Sequence, residues 1–235
     1  MDSVAPRHPI RYNTCMPRRP YDLVCFDVDG TLVRHPSGKV IWEVLNRRFT
    51  GDDTVNEERH RWYRERKITY PQWVKLDVQG WIDAGATRAE IIDSVREFER
   101  FDGAHETLLE LKRRGVRLAI ISGTLDIVID TLFPEHPFDD VYSNRLLFDE
   151  HGILTGWQAT PFDLEGKPVA LRELSARHDV ALDRAAFVGD GANDVPMVGV
   201  AGCVVAFNPR SRELERLATH VVREPNLSRV LELIG

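Results

Sequence analysis

Cysteine is scarce in this sequence, and no two cysteines have the spacing of a metal site or a redox motif. The 235 residues contain three, Cys15, Cys25 and Cys203, which lie far apart. An odd number of isolated cysteines favours free thiols in a reducing compartment over a disulfide framework or a zinc site. We therefore expect a cytoplasmic protein.

Long apolar runs are also missing. The longest, residues 195–207, covers 13 residues and is interrupted by glycine and proline, whereas a membrane-spanning helix needs about 20 apolar residues. Residues 1–20 contain four arginines and four prolines but no apolar stretch typical of a secretory signal. We expect residues 1–20 to be a loose leader, and we expect no membrane partner.

The excess of charge of one sign is small. The chain has 31 basic and 37 acidic residues, which gives a formal net charge of −6. This balance argues against nucleic acid as the main partner, because proteins that bind nucleic acid usually present a basic surface. The sequence predicts no particular oligomeric state.

Short apolar runs alternate with amphipathic segments along most of the chain. Such alternation predicts an α/β fold with a doubly wound, mostly parallel sheet. Two apolar runs around "EHG" predict a β-hairpin within residues 141–160. The predicted strands are 22–28, 116–122, 185–190, 203–207 and 220–222, and helices are predicted at 104–115 and 167–179.

Residues 35–101 have a different pattern. They contain four of the five tryptophans, four segments of helical pattern and no strand-like alternation. We interpret them as a small helical cap domain inserted after the first strand. The catalytic core would then consist of residues 21–34 and 102–235.

Two carboxylates end the first predicted strand. Asp27 and Asp29 in "DVDGT" share one face because alternate side chains of a strand point the same way. A divalent cation would relieve their repulsion, and Mg²⁺ prefers carboxylates together with phosphate oxygens. Asp27 can then act as a nucleophile, and Asp29 as a general acid and base.

Further polar residues follow other predicted strands, whose carboxyl ends form the binding edge of such a sheet. Ser122 and Gly123 offer a hydroxyl and a backbone N–H to a phosphate. Lys167 opens a helix, where a cation is unfavourable against the helix dipole unless an anion lies nearby. Asp190 can complete a metal site, and Asn193 can donate to a phosphate oxygen.

Most of these residues also have a plain structural explanation. Ser122 fits a helix N-cap, and Lys167 by itself fits a surface lysine. Asn193 and Asp194 fit a tight turn, which Asn and Asp favour.

Four short motifs, taken together, resemble those of the haloacid dehalogenase-like superfamily. They occur in the same order, and the resemblance spans roughly residues 21–235. The phrases "KITYPQWVKLD" and "LTG" are similar to the phosphoserine phosphatase-like branch of this superfamily. The four motifs are "DVDGT" at 27–31, "SG" at 122–123, Lys167, and "GDGAND" at 189–194.

The resemblance implies a role for each of these residues. Asp27 would attack phosphorus and form an aspartyl-phosphate, while Asp29 would protonate the leaving oxygen and later activate water. The remaining motif residues would hold the transferring phosphoryl group or Mg²⁺. The phosphoryl group would be held by Ser122, Gly123 and Lys167. Mg²⁺ would be bound by Asp27, the main-chain carbonyl of Asp29 and Asp190, with Asp194 in support.

The function implied is that of a Mg²⁺-dependent phosphatase acting on a small phosphorylated metabolite. Two alternatives stay open at this point. A phosphotransferase would pass the phosphoryl group from Asp27 to an alcohol instead of water. A catalytically silent binding protein on the same fold is a third hypothesis.

One departure from the resemblance concerns the substrate. Phosphoserine phosphatases carry a glutamate shortly after the first motif, but residues 32–42 contain no acidic residue. The motif "SGT" also replaces the usual "SGG". We therefore predict a neutral or anionic leaving group other than serine, recognised by basic residues of the cap: Arg34, Lys39, Arg64, Arg66 and Lys67.

Overall fold

Seven strands form a single sheet in the computed structural model, which describes residues 21–52 and 54–234. The predicted leader, residues 1–20, and Cys15 lie outside the described residues. Two further strands, β2 and β3, pair with each other in a separate two-stranded sheet. The nine strands of the described residues are β1 (Leu23–Phe26), β2 (Val33–Arg34), β3 (Glu99–Arg100), β4 (Arg117–Leu125), β5 (Asp140–Phe148), β6 (Leu154–Gln158), β7 (Ala185–Gly189), β8 (Cys203–Phe207) and β9 (His220–Val222).

The order of the strands in the sheet is β6-β5-β4-β1-β7-β8-β9. All neighbours are parallel except β5 and β6, which form the antiparallel hairpin expected from the sequence. The mostly parallel α/β fold is therefore confirmed. β1 lies at the centre of the sheet because its residues are apolar and fully buried on both faces.

Helices cover both faces of the sheet. Val24 and Phe26 of β1 face one apolar cluster, while Leu23 and Cys25, which alternate with them, face another. The helices are α1 (Ile41–Thr50), α2 (Val55–Arg64), α3 (Tyr70–Asp83), α4 (Arg88–Val95), α5 (Ala104–Arg113), α6 (Asp126–Leu132), α7 (Lys167–Arg177), α8 (Arg212–Leu217) and α9 (Leu231–Ile234). The first cluster includes residues of α5 and α6, and the second includes residues of α7 and α8.

The helices α1 to α4 all fall within residues 35–101. Two of them begin with reciprocal capping bonds, which satisfy backbone groups at a helix start. In α3 the Thr69 N–H donates to Gln72 Oε1 over 2.8 Å, and in α4 the Thr87 N–H donates to Glu90 Oε2 over 3.0 Å. These caps fix where the two helices begin.

Two expectations about local structure were wrong. Residues 35–101 were expected to contain no strand, yet Glu99–Arg100 pairs antiparallel with Val33–Arg34. β4 was expected to end at Ser122, but it continues to Leu125 with a register shift after Ile121. Helix α6 therefore starts at Asp126, and Ser122 is not its N-cap.

Within residues 21–52 and 54–234, no helix is both long enough and apolar enough to cross a bilayer.

Candidate active site

Three neighbouring parallel strands bring the candidate residues together. β4, β1 and β7 are adjacent in the sheet, so residues at their carboxyl ends meet at one edge. Asp27 follows β1, Ser122 lies near the end of β4, and Asp190 follows β7. The sheet order therefore explains why distant motifs form one site.

The loop after β1 turns sharply beneath Asp190. The Asp27 N–H donates to Val188 O over 2.9 Å, which ties the loop to β7. Gly30 has a φ of +91°, and a Cβ there would lie 2.2 Å from Asp190 Oδ2. Only glycine satisfies both conditions, since other residues rarely adopt this φ and none fits the space.

Lys167 is fully buried at the start of α7 and joins two carboxylates. Its Nζ lies 3.0 Å from Asp27 Oδ1 and 2.6 Å from Asp194 Oδ1. Burial lowers the pKa of the Lys167 ammonium, but Asp194, Asp27 and Asp163 outweigh that effect and raise the pKa above its ordinary value. The ammonium therefore stays charged beside Asp27.

Asp194 organises the turn after β7. Its Oδ2 accepts from the N–H groups of Asp190 and Gly191, each over 2.9 Å, while its Oδ1 accepts from Lys167. Both oxygens of this carboxylate are therefore occupied. Asp194 fits a supporting role better than direct binding of a ligand.

Asp190 has one occupied and one free oxygen. Its Oδ2 accepts from Arg210 Nε, and its Oδ1 is buried without a hydrogen-bond partner among the described residues. Burial raises the pKa of Asp190 to about 7, although Arg210 opposes this rise. An unpartnered buried carboxylate oxygen is costly, and a bound cation would satisfy it.

Ligand atoms of three buried carboxylates, those of Asp27, Asp190 and Asp194, lie within 4.8 Å of one another. This cluster fits a hard divalent cation such as Mg²⁺, whose preferred ligands are oxygens. The side chain of Asp29 is not part of the cluster. Its main-chain carbonyl nevertheless faces the same place, because it accepts from Arg210 Nη2 over 3.3 Å.

The Asp29 carboxyl lines the same cavity as Asp27. Its Oδ1 is buried and has no hydrogen-bond partner within the described part of the chain. Burial raises the pKa of Asp29 to about 6; the Thr124 hydroxyl opposes the rise and Asp27 adds to it. A carboxyl group with such a pKa can give and take a proton near neutral pH.

Ser122 and Gly123 sit where β4 changes register. Ser122 Oγ accepts from the Thr124 N–H over 3.1 Å. The Gly123 carbonyl accepts from Trp42 Nε1 over 2.9 Å and from Asn144 Nδ2 over 2.8 Å. A residue of α1 and a residue of β5 therefore fix the backbone at this point.

A cavity of about 170 Å³ opens above these residues. Its sheet side is formed by Asp27, Asp29, Ser122, Gly123 and Asn193, and its other side includes side chains of α1, α2 and α3. Lys167, Asp190 and Asp194 are not among the residues that line it. Lys167 contacts Asp27, and Asp194 in turn contacts Lys167. The segment 35–101 thus closes the cavity opposite the strand ends.

Sequence reasoning missed three charged residues that line this cavity: Asp77, Asp163 and Arg210. Arg210 follows β8, the strand beside β7, and this position is the one signal that could have indicated it. Burial raises the pKa of Asp163, while Lys167 opposes the rise. Asp77 ends the phrase "KITYPQWVKLD" that drew attention for its resemblance, whereas for Asp163 the sequence contains no such signal.

The predicted basic recognition site is not found in the cavity. None of Arg34, Lys39, Arg64, Arg66 and Lys67 is among the residues that line it. Arg34 lies 3.5 Å from Glu99, and Lys67 lies 2.7 Å from Glu65. Arg64, Arg66 and Lys67 are exposed. Arg34 and Lys39 are half-buried and line a neighbouring cavity that also includes Asp29 and Asp190. Recognition of the leaving group by these basic residues therefore stays a prediction.

Two family models match the chain. Residues 24–198 match one for haloacid dehalogenase-like hydrolases, and residues 166–234 match a second with the same description. The chain is 35% identical over 215 residues to phosphoserine phosphatase SerB2 of Mycobacterium tuberculosis, covering 91% of this chain and 50% of that protein. It therefore spans about half the length of that relative.

A second relative is matched over most of its length. The phosphoserine phosphatase of Methanocaldococcus jannaschii is 30% identical over 192 residues, which cover 79% of this chain and 84% of that protein. Among solved structures, a phospho-aspartyl intermediate analogue of phosphoserine phosphatase superposes with a TM-score of 0.73 at 26% identity. The superposition covers 92% of this chain and 100% of that one.

Proposed function

Because the chain belongs to the haloacid dehalogenase-like hydrolase family, we propose that it is a Mg²⁺-dependent phosphatase. Its substrate is a small phosphorylated metabolite, a phosphomonoester, and water is the acceptor. The observation that carries this proposal is the position of Asp27. This carboxylate lines the cavity, contacts the buried Lys167 ammonium at 3.0 Å, and belongs to the cluster of three carboxylates.

Asp27 and Asp190, together with the main-chain carbonyl of Asp29, are the residues that would hold Mg²⁺. The unpartnered Asp190 Oδ1 supports this assignment. Asp194 supports the site through Lys167 and through the backbone of the turn. Bound Mg²⁺ would supply positive charge that offsets repulsion between Asp27 and the phosphate.

Asp27 is the proposed nucleophile. Attack of its carboxylate on phosphorus forms an aspartyl-phosphate, and the bond to the leaving oxygen breaks. Asp29 donates its proton to that oxygen and then takes a proton from the attacking water. The raised pKa of Asp29, about 6, suits both steps near neutral pH.

Four residues hold the phosphoryl group in this proposal: Ser122, Gly123, Lys167 and Asn193. Hydrogen-bond donors stabilise the charge on the equatorial oxygens of the transferring group. The cavity that Asp27 lines is also lined by Ser122, Gly123 and Asn193. Lys167 does not line it but contacts Asp27 directly. Their positions support these roles.

We propose that residues 35–101 form a cap on a core made of residues 21–34 and 102–235. The cavity between α1–α3 and the strand ends supports this division. A cytoplasmic location is also proposed. It is supported by Cys25 and Cys203, which are buried free thiols, as expected in a reducing compartment.

Phosphate release tests the proposed function. The purified protein is incubated with para-nitrophenyl phosphate and a panel of phosphorylated metabolites, with Mg²⁺ or with EDTA. We expect release that needs Mg²⁺ and that is lost in Asp27→Asn. Lack of release from every ester, or release unchanged in Asp27→Asn, would contradict the proposal.

A further inference from the structure

A buried carboxylate on helix α3 lines the same cavity as Asp27. Asp77 of α3 has an exposure of 1% and lines the cavity. Its Oδ1 accepts from Asn46 Nδ2 over 2.8 Å and from Arg59 Nη1. Its Oδ2 is buried and has no hydrogen-bond partner in the described ranges.

This carboxylate is held in place from two other helices. Asn46 of α1 donates to Asp77 and accepts from Trp81 Nε1 over 2.8 Å, so it is itself fixed. Burial raises the pKa of Asp77, while Arg59, Asn46 and Trp73 oppose that rise. The orientation is therefore set at Oδ1, and Oδ2 remains as an acceptor.

Aromatic side chains line the same cavity. Trp42 donates its indole N–H to Gly123 O over 2.9 Å, and the Tyr70 hydroxyl accepts from Asn144 Nδ2 over 2.8 Å. Because these polar atoms are engaged by other protein groups, the rings offer mainly apolar surface to the cavity. Val40 and Val74 add apolar surface to the same lining.

The cations near the cavity already have acidic partners. Lys167 contacts Asp27 and Asp194, Arg210 contacts Asp190, and Arg59 contacts Asp77. A carboxylate on the leaving group would meet the like charge of Asp77 in a buried place, which is unfavourable. A hydrogen-bond donor would instead satisfy Asp77 Oδ2.

We infer that Asp77 selects the leaving group of the substrate by accepting a hydrogen bond at Oδ2. The preferred substrate is a phosphomonoester with a short, largely apolar leaving group that ends in a hydroxyl or ammonium and carries no carboxylate. This inference rests on the proposed function, since it concerns the same cavity. It differs from the basic recognition site expected from the sequence.

The first test compares small esters on the wild-type protein with Mg²⁺. Ethyl phosphate has no donor, 2-hydroxyethyl phosphate and phosphoethanolamine each have one, and phosphoserine has a donor and a carboxylate. We expect kcat/KM for at least one donor ester to exceed that of ethyl phosphate at least tenfold. We also expect phosphoethanolamine to exceed phosphoserine at least tenfold.

The second test is Asp77→Asn. Because Asn46 and Arg59 both donate to Oδ1, the amide oxygen takes that position and the amide N–H₂ replaces Oδ2. An acceptor thus becomes a donor with little change in shape. We expect kcat/KM for the preferred donor ester to fall at least ten times more than that for ethyl phosphate, mainly through KM.

Asp83→Asn is the matched control. Asp83 lies on the same helix but is exposed, and it accepts from Gln79. We expect this variant to keep the wild-type preference. Thermal melting of both variants separates lost recognition from lost folding.

Any of three results would overturn the inference while leaving the proposed function intact. One is Mg²⁺-dependent release from para-nitrophenyl phosphate together with equal kcat/KM for all the small esters. The second is phosphoserine as the best substrate, and the third is an equal loss for every ester in Asp77→Asn. Absence of release from every ester, para-nitrophenyl phosphate included, would remove the proposed function and this inference together.

Discussion

Replacement of Lys167 by methionine tests how the site is held together. The variant keeps a side chain of similar length but removes the ammonium between Asp27 and Asp194. Lys167 and Asp194 are fully buried and Asp27 is nearly so. Removing one partner of a buried ion pair costs about 3–5 kcal/mol, because a buried charge is left without compensation.

The expected effect on melting follows from this free energy. For a chain of this size, 1 kcal/mol lowers Tm by about 2–4 °C, so Lys167→Met should lower Tm by about 6–20 °C. The loss of unfolding free energy in Lys167→Met should be larger at pH 8 than at pH 5. At pH 5, protonation of the carboxylates that have lost the ammonium relieves the repulsion between them. Urea unfolding and calorimetry in EDTA would measure it.

Lys112→Met is the control for this measurement. Lys112 Nζ also lies 2.6 Å from a carboxylate, that of Asp139, but this pair lies near the surface. Such pairs contribute about 0–1 kcal/mol, so we expect a correspondingly small loss. A loss below about 1 kcal/mol in Lys167→Met, or equal losses in both variants, would refute the reasoning.

Three further predictions concern the same site. Arg210→Gln removes the cation that contacts Asp190 and the Asp29 carbonyl, which are two of the groups proposed to hold Mg²⁺. We expect tighter Mg²⁺ binding by calorimetry, because the arginine no longer competes for these oxygens, and weaker binding would contradict this. Gly123→Ala places a Cβ 1.9 Å from Asp163 Oδ2. We expect a loss of about 1–3 kcal/mol in unfolding free energy and at least tenfold lower activity. Wild-type stability and activity would contradict this. Burial raises the pKa values of Asp29 and Asp190 to about 6 and about 7, above the unfolded value of about 3.9. The stability linked to these groups is therefore complete below about pH 4 and is lost as the pH rises through their folded pKa values. We expect Mg²⁺ to raise Tm more at pH 8 than at pH 5, and an equal rise at both pH values would contradict this.

Much of the fold could be predicted because its signals are local. β1, β7 and β8 are short apolar runs that are buried on both faces, and the ends of β1 and β7 carry polar residues of the motifs. The first and second motifs lie far apart in sequence but on adjacent strands. The order of strands and helices was sufficient to predict that they meet.

The other features of the fold and the site depend on contacts between residues that are distant in the chain, and the periodicity of the sequence does not reveal such contacts. Trp42 reaches Gly123 across 81 positions, and Asn46 reaches Asp77 across 31. Asp77 has the sequence pattern of an ordinary helix residue, and only packing of α1, α2 and α3 turns it into a buried acceptor. The basic residues predicted to recognise the leaving group do not line this cavity, and Arg64, Arg66 and Lys67 are exposed.

The central claim is that Asp27 carries the phosphoryl group during the reaction. Asp29→Asn and labelled para-nitrophenyl phosphate test it most directly, because this leaving group departs without an acid while hydrolysis of the intermediate still needs Asp29. We predict a burst of one nitrophenolate per active site and label on the peptide that contains Asp27, with neither in the double variant that also carries Asp27→Asn. Label on another residue, or turnover without a burst at the wild-type rate, would contradict the claim.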